Sequence, residues 1–498
     1  MTPSAALAIL ILGPLAGAVL TFALPRRGRW LAFVVAAVTA WSAVALARHV
    51  HGGGTVRHLM GGWGAPLGID LRADGLAAWL LLVAAGVSFA VMLYAPRYFM
   101  PTPAHADTGA THRQKYFWPL FLFLWAALNA LFLSADIFNL YVTLELLGFA
   151  AVTLVALAGG RAALNAALRY LFVSLAGSLF YLMGVALVYG AHSTVDLTLL
   201  AQQVQPGPVS WTALALMTAG LMMKAAVFPM HFWLPPAHAH APAPVSALLS
   251  ALVVKGAFYI LLRLWFEAFG HVVTPAAGQW LGALGAAAIL WGSVLALFQS
   301  RLKLLIAYST VAQLGYLLLV FPLAANPGGF NAWGGALLLL AAHACAKTAL
   351  FLAAGNLLHA AGHDRIKDLG GLAPVLPLTV TTFALASVSL IGLPPSSGFV
   401  GKWLLLNSAL SQGQWWWTAV ILVGGLLAAA YTCRVLLHFF TNADQASSAT
   451  PVPAVMEWTA LSLALLAVVL GLAGSWPLEL LRAGAPVTGP VLMGGPGP

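Results

Sequence analysis

Charge is what this chain has least of. Only 7% of its 498 residues are Asp, Glu, Lys or Arg, where a soluble domain carries about 25%. With 61% hydrophobic residues beside that shortage, no soluble reading competes. Cysteine is nearly absent too. Cys345 and Cys433 both fall in apolar segments, with no CxxC, no CxxCH and no Cys/His cluster. Disulfide, haem and iron–sulfur chemistry are therefore disfavoured, and no cofactor is expected. Long polar stretches are missing as well. The longest, about 49–74 and 97–115, are too short for an independent catalytic core.

What is present is a series of continuous apolar runs of roughly 18–25 residues, each long enough to cross about 30 Å of hydrocarbon as a helix. Continuity rather than alternation argues against a barrel. The runs predict an all-α polytopic membrane protein with 14 spans: 5–24, 30–47, 76–96, 116–134, 137–158, 165–190, 211–235, 243–264, 278–298, 303–322, 332–358, 374–410, 416–440 and 456–478. The first run lacks a basic leader and is followed by Arg26, Arg27 and Arg29, so it reads as a membrane helix rather than a signal peptide. The twelfth is too long for one straight helix and contains Gly392-Leu393-Pro394-Pro395, which predicts a break. The tail from Gly484 to Pro498 is rich in Gly and Pro.

The formal net charge is +10, but the loops are too short to form a basic domain, so no nucleic-acid partner is expected. With the N-terminus outside, thirteen of the 22 basic residues fall on the inner side and five on the outer. Arg113, Arg301 and Lys303 count as inner, Arg57, Arg72 and Arg263 as outer. The expectation is an inner (cytoplasmic) membrane protein in contact with the lipid bilayer, with both termini outside. Four lysines remain, all inside spans: Lys224, Lys255, Lys347 and Lys402.

An intramembrane charge costs at least about 2.5–3.5 kcal/mol, so these lysines and Glu145 are where function is expected. Glu145 lies nine residues beyond Asp136, about 13 Å deeper into the membrane. Lys224 precedes Pro229 and Pro235-Pro236, in a helix that must break, and Lys402 follows the second break. Desolvation loosens a lysine's hold on its proton and a nearby carboxylate tightens it, so a lysine–glutamate pair of variable separation is a proton switch. A static buried ion pair is the alternative. Lys255 sits about 12 residues into its span, deep for snorkelling. His343 and Lys347 are four apart, one helical turn, which suits a relay, although packing of His343 against a carbonyl is also compatible. His231, His238 and His240 stand near helix ends, either as proton carriers or as interfacial histidines. A zinc site at His238-x-His240 lacks Cys or carboxylate ligands, so no metal is expected. Gaps along the row need water or the hydroxyls of Ser246, Ser250, Ser309 and Thr310.

Six segments carry a resemblance: 136–146 (DIFNLYVTLEL), 224–236 (KAAVFPMHFWLPP), 239–256 (AHAPAPVSALLSALVVKG), 302–317 (LKLLIAYSTVAQLGYL), 343–352 (HACAKTALFL) and 392–403 (GLPPSSGFVGKW). In this order they resemble the antiporter-like subunits of respiratory complex I, membrane-bound hydrogenases and Mrp-type cation/proton antiporters. The resemblance implies two inverted five-helix repeats, at 116–264 and 278–440, preceded by three helices in 1–115 and followed by a C-terminal helix and tail in 441–498. It also implies Glu145 and Lys224 as the pair of the first half-channel and Lys255 as the connecting lysine. His343 with Lys347 would be the central relay, and Lys402 the end of the second half-channel. The expected function is proton translocation within a multi-subunit Na+/H+ antiporter of Mrp D type. Complex I-like, hydrogenase-linked and inorganic-carbon-uptake subunits are the alternatives, with other membrane subunits as partners. Ser300 departs from the family, where an acidic residue often precedes the Leu-Lys segment.

Overall fold

The structure, a computed structural model, describes residues 1–100, 109–325, 328–441 and 450–487. Arg113 and the tail beyond 487 lie outside its described side chains. The chain begins with helices α1 (Pro3–Ala23) and α2 (Gly28–Gly53), then a hairpin of β1 (Val56–Leu59) and β2 (Asp70–Ala73), then α3 (Gly75–Tyr98). α4 (Gly109–Leu133), α5 (Ile137–Ala156) and α6 (Gly160–His192) follow, with a short α7 (Leu197–Gln203). Next come α8 (Pro208–Lys224), α9 (Leu234–His240), α10 (Ala243–Leu248) and α11 (Val254–Arg263). The second half holds α12 (Pro275–Phe298), α13 (Leu302–Leu318), α14 (Val320–Ala324) and α15 (Phe330–Ala361). It continues through α16 (Pro377–Ile391), α17 (Ser397–Ser411) and α18 (Trp415–Phe439), and ends with α19 (Ala454–Leu472) and α20 (Ser475–Arg482).

Among the described residues, twelve helical stretches are long and apolar enough to span a membrane. The remaining two predicted spans, the seventh and the twelfth, are the interrupted ones. The fold is that of an all-α, multi-pass membrane protein. α10, a π turn at Leu249–Val253, α11 and a second π turn at Leu264–Ala268 form one rod, and it and α15 occupy the centre with every turn buried.

The scarce acidic residues begin helices. Asp74, Asp136 and Asp196 accept hydrogen bonds from the backbone N–H groups of Ala77 (3.0 Å), Asn139 (2.5 Å) and Thr198 (2.9 Å), which have no partner inside their own helices. Pro229 and the Pro394-Pro395 pair supply the breaks, because proline has no N–H and cannot continue a helical ladder. The first break comes earlier than the proline: α8 stops at Lys224, and Ala226 turns the chain with a φ of 52°. At the second, Gly392 adopts φ 87° and donates its N–H to Val388 O, which closes α16. Ser396 then caps α17 through Phe399 N at 3.2 Å.

The two halves share a local device. Ile137 N–H donates to Val195 O and Leu197 N–H to Ala135 O, both at 2.9 Å. In the second half Leu302 N–H donates to Asp364 O at 2.7 Å and Ile366 N–H to Ser300 O at 2.9 Å. Each bridge ties the start of one helix to the segment after the next. Five membrane crossings separate the two bridges, so they lie at opposite ends of the bundle.

Sequence reasoning placed Arg57, Arg72, Arg263 and Lys303 in loops. Arg263 and Lys303 are each only 3% exposed. Arg263 forms a two-pronged contact with Asp74 (2.6 and 2.7 Å) and also reaches Glu267 (3.3 Å), which in turn pairs with Arg72. Arg57 bridges Asp70 and Asp196. The polar 49–74 stretch is thus an ordered hairpin, held by ion pairs over the end of the bundle where α3 begins.

Candidate functional site: a row of buried lysines

Glu145 on α5 accepts hydrogen bonds from Lys224 Nζ at 2.5 Å and from Ser178 Oγ on α6. Because α8 ends at Lys224, the amine leaves the helix where the backbone turns away. Gly148, one turn beyond Glu145, permits the approach: a Cβ there would lie 3.1 Å from Ser174 Oγ and 3.8 Å from Lys224 Nζ. A small cavity adjoins Lys224 on the side facing Val253 and Ala257, the rod that carries Lys255.

Lys255 Nζ reaches back to the carbonyl of Ser250 in the first π turn. Ser250 Oγ hydrogen-bonds Thr310 Oγ1 at 2.8 Å, which joins the rod to α13 and one half of the protein to the other. Beside Thr310, Ser309 Oγ receives Lys347 Nζ, which also donates to Ile306 O at 2.8 Å. Three of the four hydroxyls named from the sequence therefore stand between Lys255 and Lys347. The fourth, Ser246, instead donates to the carbonyl of His238 at 3.0 Å. His343 is buried one turn before Lys347, within electrostatic reach of Lys255 and Lys347, and neither ring nitrogen has a protein partner.

Lys402 folds back from α17 onto the end of α16. Its Nζ donates to Leu390 O at 2.8 Å and Ile391 O at 2.9 Å, and lies 4.3 Å from the Tyr316 ring centroid. The break makes this possible by freeing those carbonyls. Gly392 is required twice over, for its positive φ and because a Cβ would stand 2.7 Å from Lys402 Cδ.

The three histidines near the helix ends separate. His238 is fully buried, stacked on Phe351 at 4.8 Å, and within electrostatic reach of Lys255, Lys303 and Lys347. His231 stacks on Phe228 at 5.7 Å, and His240 is only half-buried. Among the described residues, no group of three or more His, Cys, Asp or Glu is placed to hold a metal ion.

The described row thus holds one carboxylate and four amines, with hydroxyls standing between Lys255 and Lys347. A sequence family described as "NADH:quinone oxidoreductase/Mrp antiporter, TM" matches residues 134–428, more than half of the chain. The chain belongs to this family. It is 39% identical over 420 residues to an NADH-quinone oxidoreductase subunit N from Desulforudis audaxviator, covering 82% of this chain and 80% of that one. It is 29% identical to the D-type component of a Na+/H+ antiporter from Bacillus subtilis, covering 78% and 76%. Among solved structures it superposes on a chain of the Mrp complex from Dietzia sp. with a TM-score of 0.86 and 26% identity, over 98% of both chains.

Sequence reasoning missed three polar residues of this antiporter-like protein. Lys303 is a fifth buried lysine, with Nζ 2.5 Å from Ala241 O and 3.4 Å from Ala239 O, beside His238. Its neighbour Arg301 made it look like a loop charge. Gln313 is one turn beyond Ser309 on α13, and its amide donates to Leu390 O at 3.1 Å. The Tyr431 hydroxyl of α18 faces Ser309 and Gln313 without a direct hydrogen bond. The four-residue spacing from Ser309 to Gln313 was the available signal for the second of these.

Proposed function

We propose that this chain is a proton-translocating subunit of a multi-subunit monovalent cation/proton antiporter, in the position of the Mrp D-type component, with Na+ as the coupling ion. The observation that carries the reading is the Glu145–Lys224 pair at one end of a row that continues through Lys255, Lys347 and Lys402. Separation of the pair removes the carboxylate that holds the proton on Lys224, and the proton passes inward along the row. The corresponding bridges of the two halves support reading 116–264 and 278–440 as inverted half-channels. The superposition on a chain of an Mrp complex over 98% of both chains supports an antiporter complex, and the 29% identity to a D-type component supports the D-type position. We assign it to the inner membrane with both termini outside.

A partner membrane subunit is supported by Glu145 itself. Its side chain keeps 16% exposure on a flank where Phe138, Leu146 and Phe149 are exposed. Lipid is a poor cover for a carboxylate, and an adjoining subunit would seal it.

The 39% identity to a subunit N favours a second reading, a proton-pumping subunit of an NADH-quinone oxidoreductase. Inverted membrane vesicles from the native host separate the two. Under the first reading, added Na+ moves protons and Lys224→Ala abolishes the response. Under the second, NADH oxidation moves protons and Na+ does not. Unchanged flux in both Glu145→Ala and Lys224→Ala, with the complex assembled, removes the switch from either reading.

A further inference from the structure

Between Lys347 and Lys402 no lysine, histidine or carboxylate stands among the contacts just described, yet the row must cross from α13 to α17. Two side chains occupy that gap. Gln313 anchors its amide N–H on Leu390 O, the same carbonyl that accepts from Lys402. Its Oε1 has no protein partner, although the residue is 1% exposed. Tyr431, 0% exposed, turns its hydroxyl toward Ser309 and Gln313, and that oxygen also lacks a direct hydrogen bond. Ser309 is the hydroxyl that receives Lys347. Each of these two oxygens is buried without a protein partner, which is unusual, because nearly all such atoms find partners.

We infer that Tyr431 is a proton relay, and Gln313 its positioning residue, between Lys347 and Lys402. The inference rests on the proton-translocation reading above. A tyrosine hydroxyl both accepts and donates a hydrogen bond. It takes a proton on its free lone pair from the Lys347–Ser309 side and releases its original proton toward Lys402, so one proton moves and no bond is lost. A carboxamide does not carry protons in this way. Gln313 instead offers Oε1 as an acceptor and is held by Leu390 O. One water bonded to both Tyr431 Oη and Gln313 Oε1 satisfies both atoms and spans the remaining distance to the Lys402 amine. Tyr316 keeps that amine in place from beneath.

The test uses the assembled complex in vesicles and compares Tyr431→Phe, Gln313→Leu, Gln313→His and Lys347→Ala. Co-purification of the partner subunits reports assembly for each. Tyr431→Phe keeps the ring and removes only the hydroxyl. It is expected to lower proton flux by at least about tenfold and to enlarge the slowing in D2O. Gln313→Leu lowers flux by a smaller factor, and Gln313→His, which again supplies an acceptor, recovers most of it. Wild-type flux in Tyr431→Phe or in Gln313→Leu, while Lys347→Ala abolishes it, overturns the relay and leaves the proton row intact. Wild-type flux in Lys347→Ala overturns the row and the relay together. If Tyr431→Phe does not assemble, the Gln313 pair decides: loss in Leu with recovery in His supports the link, and equal flux in both overturns it.

Discussion

The first half gives its terminal lysine a carboxylate, and the second gives its own only dipoles. Lys224 rests on Glu145, whereas Lys402 rests on two backbone carbonyls and a tyrosine ring and forms no ion pair among the described residues. The corresponding bridges allow the halves to be counted against each other. Glu145 is eight residues beyond Ile137, and eight residues beyond Leu302 is Thr310. A hydroxyl thus stands where the first half has its acid. On the proposed reading, the difference separates the two ends of the row: one amine is held by a carboxylate until the pair parts, and the other meets only dipoles.

The largest effect should come from erasing the asymmetry at its source. Glu145→Gln preserves shape and removes the counter-charge of Lys224. We expect proton flux to fall by about two orders of magnitude, the range for losing a positioned proton-transfer group. The reverse change, Thr310→Glu, places an acid beside Ser309 and Ser250, within the stretch between Lys255 and Lys347. It should hold a proton there and slow flux by about tenfold. Vesicle flux checks both, and a Thr310→Glu variant as fast as the parent would show that the second half does not depend on lacking a carboxylate.

The glycines beside the two lysines sharpen the comparison. At Gly392 an alanine meets both a positive φ and the Lys402 stem, so Gly392→Ala should cost about 1–3 kcal/mol and displace the amine. At Gly148 an alanine meets a serine hydroxyl at 3.1 Å and the Lys224 amine only at ordinary contact distance, 3.8 Å, so Gly148→Ala should cost less than about 1 kcal/mol. Thermal unfolding of the complex would rank them, and the reverse order would contradict the geometry.

This asymmetry was half legible in the sequence. The apolar runs predicted the twelve uninterrupted spans found among the described residues, because hydrocarbon leaves a backbone few other solutions. Prolines at 229, 394 and 395 marked both breaks, although the first falls at Lys224, where the chain turns before its proline. The lysines were conspicuous because each is a lone charge in an apolar run. Gln313 and Tyr431 were not, since a single neutral polar residue in a span costs little and looks like any other. Lys303 was hidden by its neighbours, and the hairpin at 56–73 is tied down by an ion pair from Arg57 to Asp196, a partner distant in sequence. Lys255, Tyr259, Arg263 and Glu267 recur at four-residue spacing, so the depth of Arg263 could have been read from its helix face.

The ends of the two halves also differ, and here the expected effects are on stability. At the first, Arg263 and Asp74 pair out of contact with solvent. Removing one partner leaves a buried charge, so Asp74→Asn should destabilise by about 3–5 kcal/mol. At the second, Arg301 pairs with Asp364 at 2.9 Å but is 41% exposed, so Arg301→Gln should cost at most about 1 kcal/mol. Their responses to acid should differ as well. Burial pushes the Asp74 carboxyl up, but the Arg263 guanidinium, then Arg72 and the Ala77 N–H, hold it below the usual carboxylate range. Its folded value is lower than its unfolded value of about 3.9, so its contribution is fully present above that pH and is lost as pH falls through the folded value. Unfolding followed from pH 7 to pH 3 should therefore bring the parent and Asp74→Asn together only at the acid end, while Arg301→Gln stays close to the parent throughout. An Asp74→Asn protein as stable as the parent at pH 7 would mean that Glu267 alone is enough to hold Arg263.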